Sequence, residues 1–165
     1  MGQLKLSEVK KRVKELEKKE KFYLDKENDE YIYYYPKFSD TKINEIIEEL
    51  YKTIIYCEEN KLDKLNTDEE IARYLLFLII KHFTSFKSEV DTKPFDIHYA
   101  SMEMLEEVGL YRIFLNHMFD PAEVNKVLDR KNEIEKLGET LTAELEKNSL
   151  NEELNKLQVV NTLGK

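Results

Sequence analysis

Cysteine, glycine, proline and histidine are all scarce in this 165-residue chain, which carries one, four, three and three of them. The single thiol, Cys57, excludes an internal disulfide. With no basic group placed to lower its pKa, it reads as a buried, inert thiol on an amphipathic helix. Four glycines scarcely build a phosphate-cradling loop, and no Gly-x-Ser-x-Gly turn occurs. His82, His98 and His117 form no His-x-x-x-His pair, and two ligands rarely hold a metal, so no metal or cofactor is expected. The longest apolar run, Tyr74 to Ile80, is far too short to span a bilayer. The charged N-terminus lacks an apolar signal region, so a cytoplasmic, reducing setting and no membrane contact are expected. A basic excess is missing too: the net charge is −8, against the sign that binding free nucleic acid requires.

Charge and helix-forming residues are abundant. Asp, Glu, Lys and Arg make up 36% of the chain and apolar residues 41%, enough for a core. Residues 1–21 hold eight Lys or Arg and four Asp or Glu, a net of +4, which leaves −12 on the rest. That start reads as a basic helix, either a solvated face or a contact arm for an acidic partner. Its apolar stripe, Leu6, Val9, Val13 and Leu16, is narrow.

The period then changes. Phe22 and Leu24 alternate with polar neighbours, Asp25 to Asp29 is turn-prone, and Tyr31 to Tyr35 is aromatic and β-branched, so residues 21–35 predict a β-hairpin ended by Pro36. Alternation puts Tyr31, Tyr33 and Tyr35 on one side, with Ile32 and Tyr34 on the other. Three uses fit them: rings packed on helices with hydroxyls at the rim, an edge strand that pairs with a partner's strand, or base stacking, which the local acids oppose.

Ser39 or Asp40 caps a helix that carries Ile43, Ile46, Ile47, Leu50, Tyr51, Ile54 and Ile55, with Asn60 as its stop. Thr67 to Glu70 is a capping box. The helix it opens is apolar on nearly every face, so it sits at the centre of the core, and a charge at Leu76 is expected to unfold the domain. A helix from about Asp96 to Val108 ends at Gly109; a short one reaches Met118; Asp120-Pro121 restarts the chain. The last long helix runs to about Lys147 with a heptad-like stripe of Val124, Val127, Ile134, Leu141 and Leu145. Ser149 to Glu152 reads as a second capping box before a short helix, and Gln158 to Lys165 as a flexible tail. The expected architecture is therefore mainly α: a basic helix over 1–20, a helical domain with the hairpin over 21–147, and an appendage over 148–165. Adjacent acidic pairs such as Glu48-Glu49 point apart on a helix and read as solvated faces.

Three stretches together resemble a known family. Tyr35-Pro36-Lys37-Phe38-Ser39-Asp40 leads into the Ile-rich helix. Ile79-Ile80-Lys81-His82-Phe83-Thr84 closes the apolar one. Met104 to Leu110 precedes Phe119-Asp120-Pro121-Ala122-Glu123-Val124-Asn125-Lys126-Val127-Leu128. Over residues 35–135 this order is similar to the tail assembly chaperones of long-tailed phages and prophages of Gram-positive bacteria. The resemblance implies a helical, non-enzymatic protein that binds the tape measure protein, helps recruit tail tube subunits around it and is absent from the finished virion. It also implies no catalytic residue. Homo-oligomers are compatible with it. Other readings are a connector protein retained in the particle and a small helical adaptor or regulator. The stripe from Val124 to Leu145 is the first candidate partner surface, with Tyr31, Tyr33 and Tyr35 the second; packing onto the central helix is the plainer reading of the stripe. On the partner reading, Val127→Glu with Ile134→Glu weakens binding and leaves the domain folded.

Overall fold

The computed structural model describes residues 2–163, with side chains through residue 159. Its elements run α1 (Leu6–Leu16), β1 (Glu20–Asp25), β2 (Glu30–Tyr34), α2 (Asp40–Glu59), α3 (Asp68–His82), α4 (Lys87–Val90), α5 (Phe95–Glu107), α6 (Leu110–Ile113), a π-turn (Phe114–Met118) and α7 (Pro121–Leu163). The fold is mainly helical, as the 3.6-residue periodicity predicts. The chain divides into two compact units, Met1–Val127 and Leu128–Lys165.

In the first unit local chemistry places the helix ends where the sequence signals them. The Ser39 hydroxyl accepts the Lys42 amide at the start of α2, and Asn60 closes that helix. Thr67 Oγ1 accepts the Glu70 amide while Glu70 Oε2 accepts the Thr67 amide, the reciprocal pair that opens α3. Gly109 sits at φ 78°, the left-handed geometry that ends α5 without a Cβ penalty. Asp120 Oδ1 accepts the Ala122 amide, and Pro121 opens α7.

Helix α3 is the centre. It contacts α2, α4, α5 and the π-turn. Tyr74, Leu75, Phe77, Leu78, Ile79 and Ile80 are all buried. Leu76 differs: it is only half-buried and lines a cleft with Arg73, Glu106 and Tyr111. The stretch is apolar all round, so the sequence does not separate Leu76 from Leu78; packing does, and Leu76 is not the position that tests the core. On α2 the inner face is Ile43, Ile46, Ile47, Leu50 and Cys57, whereas Ile55 is 52% exposed. Burial pushes the Cys57 thiol's pKa up, with Lys64 opposing weakly.

The hairpin is antiparallel, with Phe22 opposite Ile32 and Tyr23 opposite Tyr31. Asp25 closes its loop by accepting the amides of Glu27 and Asn28. Ile32 is buried, and the Phe22 ring meets Tyr34 and Phe114 edge-on. One finding limits the edge-strand reading. The Tyr35 amide donates to the Phe83 carbonyl, and the Ser85 amide to that of Tyr33, at 2.9 and 3.0 Å. The far end of β2 is thus already paired with the chain leaving α3.

Glu123, in the first turn of α7, is 4% exposed. Its carboxylate accepts the Phe38 amide, 85 residues away, at 3.3 Å and the Lys126 ammonium at 2.7 Å. Phe38 stacks on Phe83 with ring centroids 3.7 Å apart. Glu123→Ala leaves a buried amide without its acceptor and is expected to cost about 2 kcal/mol in urea unfolding; a change under about 0.5 kcal/mol would show that the contact contributes nothing.

The second unit is the remainder of α7. The helix does not stop at Lys147, and Ser149 starts no new one. Asn148 and Ser149 each cost only a few tenths of a kcal/mol against better helix formers, and neither Pro nor an αL glycine stands nearby to break the ladder. The capping-box pattern read there as a boundary coincides with a change of apolar phase within one helix. At 100° per residue, Ile134, Leu137, Leu141 and Leu145 share one face, and Leu150, Leu154 and Leu157 share another roughly half a turn away. Residues 158–163 also lie in the helix rather than in a tail; Gly164 and Lys165 fall outside the described residues.

Candidate functional site

The proposed stripe on the last helix divides. Val124 and Val127 are 9% and 0% exposed, so they belong to the core of the first unit and offer nothing to a partner. Val127→Glu would bury a charge and unfold the domain, so it is no test of binding. Ile134 is half-buried. Leu141 and Leu145 are 52% and 69% exposed, and Leu137, which the heptad count passed over, is 62% exposed. Leu150, Leu154 and Leu157 are exposed as well. Scattered single leucines on a surface need no explanation; consecutive turns of one helix face carrying them do.

On the hairpin, Tyr33 is exposed while Tyr31 and Tyr35 are half-buried. Tyr31 and Tyr33 meet edge-on at 5.3 Å, and the Lys21 ammonium stands 4.1 Å from the Tyr31 centroid. Tyr35 lies beneath Lys42. The outer ring face is thus already covered in part by the protein's own lysines.

The histidines give the least foreseen arrangement. His82 on α3 and His98 on α5 converge on Glu49 of α2, one member of an acidic pair that reads in sequence as solvated. His82 Nε2–H donates to one Glu49 oxygen at 2.5 Å, the Lys81 ammonium to the other at 2.6 Å, and His98 Nδ1 stands 3.7 Å away. Lys81 also meets Asp91 at 3.1 Å. His98 Nε2–H donates to the Val90 carbonyl. No short sequence motif could reveal the cluster, because its members lie on separate elements. The one signal was a Lys-His pair that directly follows the apolar run in the last turn of α3.

Burial alone would raise the Glu49 pKa. The bonds from His82 and Lys81, with their charge, outweigh it and hold the carboxyl down to about 2 from an ordinary 4.5. Lys81 and His82 are almost fully buried. An open cleft of about 540 Å³ is lined by Glu49, His82 and Asp91 themselves, with Glu45, Tyr56 and Phe95 among others. Glu49 pairs with both Lys81 and His82, and Lys81 pairs with Asp91 as well. His82 Nδ1 is buried without a hydrogen-bond partner. The arrangement ties α2, α3 and α5 together as a buried ion-pair network. Among the described residues no group of His, Cys, Asp or Glu is arranged to hold a metal ion.

A second bridge joins α3 to α5. Arg73 grips Glu106 with two bonds, Nε and Nη2 each to one oxygen, and the Tyr111 hydroxyl donates to the Arg73 carbonyl at 2.8 Å. A smaller apolar cleft of about 260 Å³ lies among α3, α4 and α5, with Phe77, Ile80, Phe86 and Leu105 in its walls.

A family model described as YomO matches residues 6–162. No curated protein and no solved structure matches the chain. Among the described residues no helix is long and apolar enough to cross a membrane.

Proposed function

The chain belongs to the YomO family, and from that premise we propose that it is a non-catalytic protein that holds a helical protein partner on the exposed leucine faces of α7. The family name is associated with phages and prophages of Bacillus, which supports a phage-related role. The observation that carries the reading is the row Leu137, Leu141 and Leu145, each more than half exposed on a helix of 43 residues. A long helix gains its stability mostly from burying an apolar face, and this one leaves successive turns uncovered. A net charge of −8 keeps such a surface in solution until its partner arrives.

The partner of closest fit is a long, helical, aggregation-prone protein, and the tape measure protein of the same phage is the specific candidate. On this reading the chain acts as a tail assembly chaperone in the host cytoplasm. Co-expression with that tape measure protein tests it. The wild-type chain is expected to keep the partner soluble and to co-purify with it, and Leu137→Glu with Leu141→Glu is expected to lose both effects while the far-UV spectrum and melting temperature stay unchanged. A partner that precipitates with the wild-type chain, or stays soluble with the variant, rejects this function or this surface respectively. Abundant copies in purified virions would favour a structural connector instead.

A further inference from the structure

We propose that the free protein self-associates, with α1 of one copy seated on the Ile134–Leu145 face of a second copy. The inference rests on reading α7 as the binding element, and it names what covers that element before a partner does.

Helix α1 has 11 residues and buries none of them. Helices of that length are marginal in water without a surface to pack on. Its stripe is intact and open: Leu6, Val9 and Val13 are 70%, 37% and 49% exposed. The open face of α7 is its counterpart in three respects. Both are apolar and mostly uncovered, with Leu16 and Ile134 half-buried. Their lengths match, since ten residue steps from Leu6 to Leu16 and eleven from Ile134 to Leu145 give about 15 and 16 Å. Their charges are opposite: residues 1–21 carry +4, whereas 128–163 hold eight acidic and five basic residues, a net of −3. On helical geometry Lys5 and Arg12 border the α1 stripe on one side and Lys10 on the other, while Glu133 and Glu144 border the α7 face. An anionic membrane also attracts a basic amphipathic helix, but this stripe is narrow and carries no aromatic residue to anchor it. A reciprocal exchange, each copy giving α1 and receiving one, closes the contact into a two-fold dimer.

Sedimentation of the full chain alone, at tens of micromolar, tests this. The wild-type chain is expected at twice the monomer mass or more. Val13→Glu and Leu141→Glu, both at exposed positions, are each expected to return it to monomer with unchanged melting. Lys5→Glu with Arg12→Glu is expected to do the same, and adding Glu133→Lys with Glu144→Lys to restore association. A monomeric wild-type chain overturns the proposal. So does association that survives Val13→Glu while Leu141→Glu abolishes it, which would mean that α7 pairs with α7. Binding of a monomeric chain to anionic vesicles, lost with Val13→Glu, would assign α1 to lipid and overturn it equally. Partner capture is read separately: a monomer that still captures the tape measure protein defeats only this inference, and an oligomer that captures nothing defeats only the functional reading.

Discussion

Leu78→Asp is expected to abolish the cooperative unfolding transition of the domain. Leu78 is fully buried at the middle of α3, where that helix meets α2, α5 and the π-turn. Truncating such a leucine alone costs about 2–5 kcal/mol. An unpaired carboxylate adds its desolvation, several kcal/mol more even after relaxation. The total reaches the 5–15 kcal/mol that holds a typical domain together. Leu76→Asp is the informative control. Its side chain lies half-buried in a cleft beside Arg73, so the new carboxylate keeps water and finds a cation, and a loss of about 1–2 kcal/mol is expected. Circular dichroism melts separate the two; a Leu78→Asp melt within a few degrees of wild type would disprove the central placement of α3.

The second large effect belongs to the ion-pair network. Glu49→Ala strands a Lys81 side chain that is 2% exposed and removes the acceptor of His82 Nε2–H. Breaking a buried pair from one side typically costs about 3–5 kcal/mol. Asp91 still contacts Lys81, which places the expected loss near the lower figure, about 3 kcal/mol. Acid should act by the same route. The Glu49 carboxyl titrates at about 2 when folded and near 4.5 when unfolded. Its contribution is therefore complete above the unfolded value and lost as the pH falls through the folded one. The shift corresponds to about 3 kcal/mol at most, and the quarter of the side chain open to water reduces it to about 2 kcal/mol. Urea unfolding between pH 6 and pH 2 checks this against Glu49→Gln, which shares every other titrating group. The gap between the two chains should close as the pH drops, and parallel acid limbs would show that Glu49 carries no such linkage.

Local chemistry was legible because it needs only neighbours. Ser39, Thr67 with Glu70, Gly109 and Asp120-Pro121 act within four residues of themselves, and the structure places a helix end at each. The seven-residue run from Tyr74 announced a central helix for the same reason: it is apolar all round, although Leu76 is half-buried and lines an open cleft. The signal failed where two local meanings share one pattern. Ser149 followed by Glu152 can cap a helix or sit inside one, and the phase change beside it looked like a boundary although nothing there breaks the backbone ladder. It failed as well where apolar spacing was taken for exposure. Val127 and Leu141 share one stripe, yet one is sealed in the core and the other is open.

The candidate site divides along the same line. Tyr31 and Tyr33 could be placed on an outer face from alternation alone, and Leu141 and Leu145 on a helix face from periodicity. Leu137 was missed because a strict heptad leaves it out, although a 3.6-residue helix puts it on the same face. Nothing in sequence joined Glu49 to His82 and His98, or Glu123 to Phe38.

By itself the amino-acid order determined the helical class, the hairpin, the positions of most caps and the identity of the central helix. Each follows from steric preference, hydrogen bonding or apolar period over one or two turns of chain. Tertiary structure alone decided which apolar residues stay uncovered, that β2 is partly closed by the chain leaving α3, and that a carboxylate on α2 pairs with a lysine and a histidine on α3. Those outcomes depend on which surfaces of distant segments meet. Desolvation makes an unpaired buried charge so costly that Lys81 and His82 had to find an anion somewhere, and only packing could bring Glu49 to them.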